Sequence, residues 1–76
     1  MNTGAGTNST ECGENSTADG DFSVAIGDQS TTSAASTDGV AIGSEASADG
    51  PSTTAGGGET VATGPGASAL GWQSQA

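Results

Sequence analysis

Potential nucleophiles are abundant in this sequence, but the groups that would activate them are missing. Serine and threonine hydroxyls and the single thiol of Cys12 occur in a 76-residue chain that has no His, Lys, Arg or Tyr. A serine or cysteine nucleophile needs a neighbouring general base, most often an imidazole or an amine. The nine Asp and Glu residues would need a pocket to act as an acid–base pair. We therefore expect no enzymatic activity, no metal and no cofactor.

The charge of the chain restricts its partners. The net charge is −9 and no basic residue is present, so nucleic acid and anionic membrane surfaces would repel the chain. No apolar run approaches the roughly 20 residues of a membrane-spanning helix. The start, MNTGAGTNSTECG, has neither the charged nor the apolar region of a secretory signal. We expect neither nucleic-acid nor membrane binding, and no export signal.

A seven-residue repeat organises the chain, and its clearest copy is DFSVAIG at residues 21–27. We number the positions of this unit from one to seven, so that glycine is position seven and alanine usually occupies position five. Residues 28–36 form a nine-residue unit without the final glycine, and Ala35 is assigned to its position six. A fixed period of this kind is typical of repeat architectures. The predicted turn glycines are Gly13, Gly20, Gly27, Gly43, Gly50, Gly57, Gly64 and Gly71.

The repeat favours short strands over helices. A glycine in every unit would cost a helix about 1 kcal/mol each, and the apolar pairs of a coiled coil are absent. Ser-Val-Ala-Ile alternates small and large residues, which is the period of a strand, and glycine can form the turn that follows. The connections are too short for crossover helices. The fold class predicted is therefore all-β, a parallel β-roll or β-solenoid.

Position six indicates how many units form one coil. In alternate units it reads Cys12, Ile26, Ile42, Gly56 and Leu70, whereas the other units carry mainly polar residues such as Asp19 and Asp49. Two units, or about 14 residues, should form a coil with one apolar strand and one strand that faces water. Positions three and five are small in both sets and should line a thin interior. So few large apolar residues cannot stabilise a lone chain, so we expect association with further copies.

The segments DFSVAIG, DGVAIG and GASALG resemble the YadA-like head of trimeric autotransporter adhesins, over roughly residues 14–76. The resemblance implies a left-handed parallel β-roll with 14-residue coils and three chains around an axis. Val24, Ile26, Val40, Ile42 and Leu70 would then face the threefold axis, and Cys12 shares the apolar position. The predicted domains are an N-terminal arm or attachment segment (1–12) and the β-roll (13–76).

The chain begins with Met, is expected to carry no export signal, and has an architecture suited to exposed surfaces. These features favour a virion structural protein of a bacterial or archaeal virus, such as a trimeric spike, fibre segment or capsid decoration on the virion surface. The alternative is a head fragment of a bacterial surface adhesin on the cell surface. A third interpretation is an ice-binding β-solenoid, but the threonines fall in several positions and form no regular ladder.

The two ends of the roll are predicted to differ. Trp72, the only Trp, follows Leu70 closely and could cover the last coil and the axis beneath it. Residues 1–12 carry small polar side chains that could wrap onto another protein. We therefore predict that residues 1–12 dock on other virion proteins, that the Trp72 end is the free tip, and that a host receptor is a further candidate partner.

Overall fold

The computed structural model describes residues 6–76, which form a parallel β-solenoid. Each strand is only two or three residues long and is followed by a turn. The predicted fold class is confirmed. The strands are β1 (Thr10–Cys12), β2 (Thr17–Ala18), β3 (Val24–Ile26), β4 (Thr31–Thr32), β5 (Val40–Ile42), β6 (Ser47–Ala48), β7 (Thr54–Gly56), β8 (Val61–Ala62) and β9 (Ser68–Leu70).

Alternate units lie in two different sheets. The five-stranded sheet has the order β1-β3-β5-β7-β9, and the four-stranded sheet has the order β2-β4-β6-β8. Neighbouring strands are parallel, and Cys12 pairs with Ile26 while Gly56 pairs with Leu70. Most register partners are therefore 14 residues apart, which confirms the predicted coil of two units. At the C-terminal end, Val61 bridges to Gln75 and extends the four-stranded sheet.

The interior between the sheets is made of small side chains, as the sequence predicts. Positions three and five point inward, and nearly all of them are buried. The buried alanines are Ala18, Ala25, Ala41, Ala46, Ala48, Ala55, Ala62 and Ala69. Small side chains let the two sheets approach closely, and the described residues span only 11 Å in their shortest dimension.

Hydroxyl groups in this interior are hydrogen-bonded rather than left unpaired. Ser23 Oγ donates to the carbonyl of Gly20 at 2.6 Å, three residues earlier, and Thr53 Oγ1 donates to that of Gly50 at 2.8 Å. The same bond recurs wherever position three carries a described Ser or Thr. Each bond satisfies a buried hydroxyl and a turn carbonyl together, so the polar interior has little desolvation cost. The other residues of this kind are Ser9, Ser16, Ser30 and Thr60, and Ser74 makes the same bond where it is exposed to solvent.

The turns stack on one another as regularly as the strands do. In each turn the amide of position two donates to the carbonyl of position one in the preceding coil, as Glu45 N does to Asp28 O at 2.8 Å. Position two has the left-handed conformation throughout, even in Phe22, with φ of 57°. Since position one accepts and does not donate in this ladder, Pro51 and Pro65 fit there without losing a ladder bond.

The two inserted residues follow position six of the long unit, whereas the sequence suggested that they precede it. Ser33, not Ala35, takes position six of the long unit, because its amide donates to Ala48 O at 3.1 Å, as the amide of Asp19 does to Thr32 O. Ala34 and Ala35 are the extra pair and are exposed. The assignment of Ala35 to position six was therefore wrong, because counting residues cannot locate an insertion within a unit.

Residues 10–12 of the predicted N-terminal segment form strand β1 at the edge of the five-stranded sheet. Glu11 in this strand occupies position five and is buried, with an exposed fraction of 5%. Its Oε2 accepts a hydrogen bond from the amide of Ala18 at 2.7 Å. Residues 1–5 of the segment lie outside the described residues, and its proposed attachment role stays a prediction.

Candidate self-association face

The outer surface of the five-stranded sheet carries most of the large apolar side chains, and we call it the apolar face. It consists of positions four and six of β1, β3, β5, β7 and β9. Ile42 and Leu70 on this face are 44% and 71% exposed, and Cys12 is exposed as a free thiol. The structure thus places all six residues of the predicted trimer contact on one surface: Cys12, Val24, Ile26, Val40, Ile42 and Leu70.

The strand register converts the sequence repeat into two rows on this face. Position six forms one row through Cys12, Ile26, Ile42, Gly56 and Leu70. Position four forms the second row, in which the pair Val24 and Val40 is flanked by Thr10, Thr54 and Ser68. The apolar character is therefore greatest in the two coils that contain β3 and β5.

Leu70 fills the gap that glycine leaves in the position-six row. A β-carbon on Gly56 would lie 2.8 Å from Leu70 Cδ2. The leucine side chain thus leans back over the neighbouring coil instead of standing away from the sheet. This packing keeps the apolar row continuous from β5 to β9 despite the missing side chain.

Charged side chains are absent from the apolar face among the described residues. Glu14, Asp28, Glu45 and Glu59 lie in the turns that follow the strands of the five-stranded sheet. The remaining carboxylates lie in the opposite turns, on the four-stranded sheet or, for Glu11, in the interior. A surface patch that is apolar and free of charge, with charges around its rim, is typical of a protein–protein interface core.

The outer surface of the four-stranded sheet is polar by contrast. It carries Asp19 and Asp49 at position six, together with hydroxyl residues. Thr17 and Thr31 are register partners, but the next positions in that row are Ser47 and Val61. The threonine row is therefore only two residues long, which is far less than a flat ice-binding ladder would require. Val61 is half-buried on this surface.

Trp72 lies at position one of the turn that follows β9, at the edge of the apolar face. Its indole is 72% exposed, and its Cδ1 would lie 3.2 Å from a β-carbon on Gly58 in the preceding coil. Next to it, Gln73 Nε2 donates to Glu59 Oε1 at 2.9 Å. The predicted tip residue is thus placed beside Leu70 at the C-terminal end of the face.

Residues 6–76 form neither an enclosed site nor a cluster of metal ligands. No pocket is present in this part of the chain. No group of three or more potential metal ligands is found there either. Over the same residues, no helix is long and apolar enough to cross a membrane.

Some contributions of individual residues were not predicted from the sequence. Glu11 reads as an irregularity in the alanine position, yet its carboxylate is a buried hydrogen-bond acceptor. Phe22 is a large apolar residue for which the sequence predicted no location, and it is 58% exposed in a turn. Its location at position two, directly before the inward-facing position three, is the signal that could have identified it as a turn residue.

Comparison with known proteins is consistent with this architecture. The family model of the YadA head domain repeat matches the chain in 2 copies, over residues 5–30, 34–60 and 62–76. The gap at residues 31–33 adjoins the inserted pair Ala34 and Ala35. No curated protein and no solved structure matched the chain.

Proposed function

The chain belongs to the YadA head domain repeat family, and from this membership we propose that it is the head of a homotrimeric, surface-exposed protein. The head is non-enzymatic and acts through contact with other molecules. Its apolar face forms the subunit contact, and its turns and four-stranded sheet face outward.

The exposed apolar face is the observation that carries this proposal. A single chain has an interior of alanine, serine and threonine, which supplies little hydrophobic stabilisation compared with larger side chains. The larger side chains of β3, β5 and β9 remain partly or largely exposed. Removing one such side chain from water contributes about 1.5–3 kcal/mol. Three copies packed through this face would therefore gain a hydrophobic core that the single chain lacks.

The charge distribution supports the same orientation. Placing the apolar face at a threefold axis buries no carboxylate of the described residues, whereas placing the four-stranded sheet there would bring Asp19 and Asp49 of three copies together. Burial of unpaired like charges is strongly unfavourable. The trimer therefore forms through the five-stranded sheet.

Family membership supports an adhesin-like head at the bacterial cell surface at least as well as it supports a virion protein. We propose the cell-surface setting first, and a spike, fibre or decoration protein at the virion surface second. In the virion setting, residues 1–12 would contact other virion proteins and the head could contact a host receptor. Localisation of the native protein by immunogold labelling of cells and of purified particles from the source would distinguish the two settings.

Two valines provide a matched test of the trimer. Val40 and Val61 both occupy position four and are both half-buried, but Val40 lies on the apolar face and Val61 on the four-stranded sheet. We expect the unmodified chain to be a trimer by light scattering coupled to size-exclusion chromatography. Val40→Asp should abolish the trimer, because it places three carboxylates at the axis. Val61→Asp should remain trimeric.

A folded monomer of the unmodified chain would refute the proposal, as would loss of the trimer in Val61→Asp but not in Val40→Asp. Circular dichroism of each variant distinguishes failure to fold from failure to associate. If both variants unfold, Ile42→Ser and Thr63→Ser repeat the comparison with gentler changes, because Ile42 and Thr63 occupy position six of the two sheets. Weakening of the trimer by Ile42→Ser alone is the expected result.

A further inference from the structure

Strand β9 has a turn before it and a turn after it, and the side chains of these two turns differ greatly in size. We call the turn after each strand of the five-stranded sheet the leading corner and the turn before it the trailing corner. At β9 the leading corner is Gly71–Gln73 and contains Trp72, whereas the trailing corner is Gly64–Gly66. One corner thus carries the largest side chain of the chain, and the other carries two glycines and a proline.

The trailing corner at β9 has open space around it. A β-carbon on Gly64 or on Gly66 would meet no atom within 4 Å, and Pro65 is exposed. A β-carbon on Gly20, at the trailing corner of β3, would collide with the carbonyl oxygen of Ser36 because the next coil stacks on that glycine, so the stacking side of a corner is not where a second copy would approach. The outer side of the β9 corner, formed by the exposed Pro65 and Gly66, can therefore contact a side chain of another copy.

Threefold symmetry determines which corners meet. In a ring of three parallel copies, contacts are heterologous, so one edge of each copy touches the opposite edge of the next. When the five-stranded sheets face the axis, the leading corner of one copy adjoins the trailing corner of its neighbour. Because the roll axes are parallel and the copies are related by rotation alone, corners of the same coil lie at the same height. Trp72 of one copy therefore faces Pro65 and Gly66 of the next.

We propose that the indole of Trp72 packs against the Pro65–Gly66 corner of the neighbouring copy and closes the C-terminal end of the subunit contact. This inference rests on the proposed trimer and adds a defined contact to it. Trp72 is 72% exposed in the single chain, and large aromatic residues dominate the energetics of many protein interfaces. Glu59, the acidic residue beside the indole, is held by Gln73 at 2.9 Å, which leaves the ring available for an apolar contact.

Fluorescence tests the burial of Trp72. The chain has one Trp and no Tyr, so emission excited at the indole band reports on this residue alone. In the trimer we expect emission shifted to shorter wavelength than that of the denatured chain, with reduced quenching by acrylamide. A trimer by light scattering whose Trp72 emission and quenching equal those of the denatured chain would overturn the inference and leave the proposed trimer intact. Absence of a trimer would refute the proposed function as well.

Disulfide trapping tests the partner of Trp72. In a Cys12→Ser background, Trp72→Cys and Pro65→Cys are combined and oxidised with copper phenanthroline. We expect covalent trimers on a denaturing gel. The control uses Thr37→Cys in place of Pro65→Cys. Thr37 occupies the same position in the trailing corner of β5, two coils away. The distance is about 10 Å along the axis, which is beyond the reach of a disulfide. Equal trapping by both pairs, or trapping by neither in a sample that light scattering shows to be trimeric, would refute the assigned contact.

Discussion

The Oγ atom of Ser36 occupies the space that a β-carbon on Gly39 would fill. In the other coils position seven is glycine, and position three mostly carries a hydroxyl that bonds to its carbonyl, as Ser23 does with Gly20. After the insertion the two residue types are exchanged, so that serine (Ser36) stands at position seven and glycine (Gly39) at position three. Ser36 Oγ lies 3.2 Å from Thr53 Oγ1, and since Thr53 donates its proton to Gly50 O, Ser36 is the donor. The exchange keeps the interior filled and hydrogen-bonded.

This relationship predicts strong coupling between the two positions. Gly39→Ser alone should destabilise the protein by about 1–3 kcal/mol, because it overfills the space that Ser36 occupies. Ser36→Gly alone should cost about 0.5–1.5 kcal/mol through the lost hydrogen bond. The double variant restores the arrangement of Gly20 and Ser23 and should recover much of the loss. Urea unfolding at one fixed protein concentration gives the coupling energy, and strictly additive effects would contradict the prediction.

Glu11 is predicted to stabilise the N-terminal edge of the four-stranded sheet. The amides of Thr17 and Asp19 donate toward β4, so that of Ala18 between them points the other way, where Glu11 Oε2 accepts it. Glu11→Ala should cost about 1–3 kcal/mol of unfolding free energy, because it removes this acceptor. Glu11→Gln keeps a side-chain oxygen that can accept this bond, as an amide oxygen in place of a carboxylate oxygen, and should cost less. If alanine, the common residue at position five, increased stability instead, the carboxylate would have no stabilising role.

The sequence predicted the regular part of this structure because one physical pattern repeats in it. Alternation at positions three to six was enough to place Ala25 inside and Ile26 outside. It did not locate the insertion, because Ser33 and Ala35 are both small and the difference lies in backbone hydrogen bonding. Nor did it predict the compensation between Ser36 and Gly39, which depends on contacts within a turn that has no counterpart in the other coils.

Glycines of the repeat are predicted to differ in importance. Gly43 has φ of 128°, and a β-carbon there would lie 2.6 Å from the carbonyl oxygen of Gly57. Gly43→Ala should therefore cost at least about 1–3 kcal/mol, from backbone strain and the collision together. Gly64 occupies the same position of another unit without a left-handed φ, and a β-carbon there meets no atom within 4 Å. Gly64→Ala should be neutral in stability by thermal unfolding, and equal losses at both sites would contradict this account.

The proposed trimer brings acidic corners together. In the β3 coil the leading corner carries Asp28 and the trailing corner carries Asp21. In the β5 coil the corresponding residues are Glu45 and Asp38. The chain has no basic residue to compensate for them. These contacts between copies are therefore repulsive, and the apolar face and the Trp72 end must overcome them.

Association is consequently predicted to strengthen with salt. Screening shortens from about 30 Å at 0.01 M to about 3 Å at 1 M ionic strength, so the dissociation constant of the trimer should fall as sodium chloride is added across this range. The double variant Asp28→Asn with Asp38→Asn removes one charge from each acidic contact and should show a smaller salt dependence. Asp49 lies on the outer surface of the four-stranded sheet, far from the contact. The variant Asp49→Asn should therefore retain most of the salt dependence of the unmodified chain. Sedimentation equilibrium of the three proteins measures the comparison. An equal salt dependence in all three would mean that these corners do not face each other in the trimer.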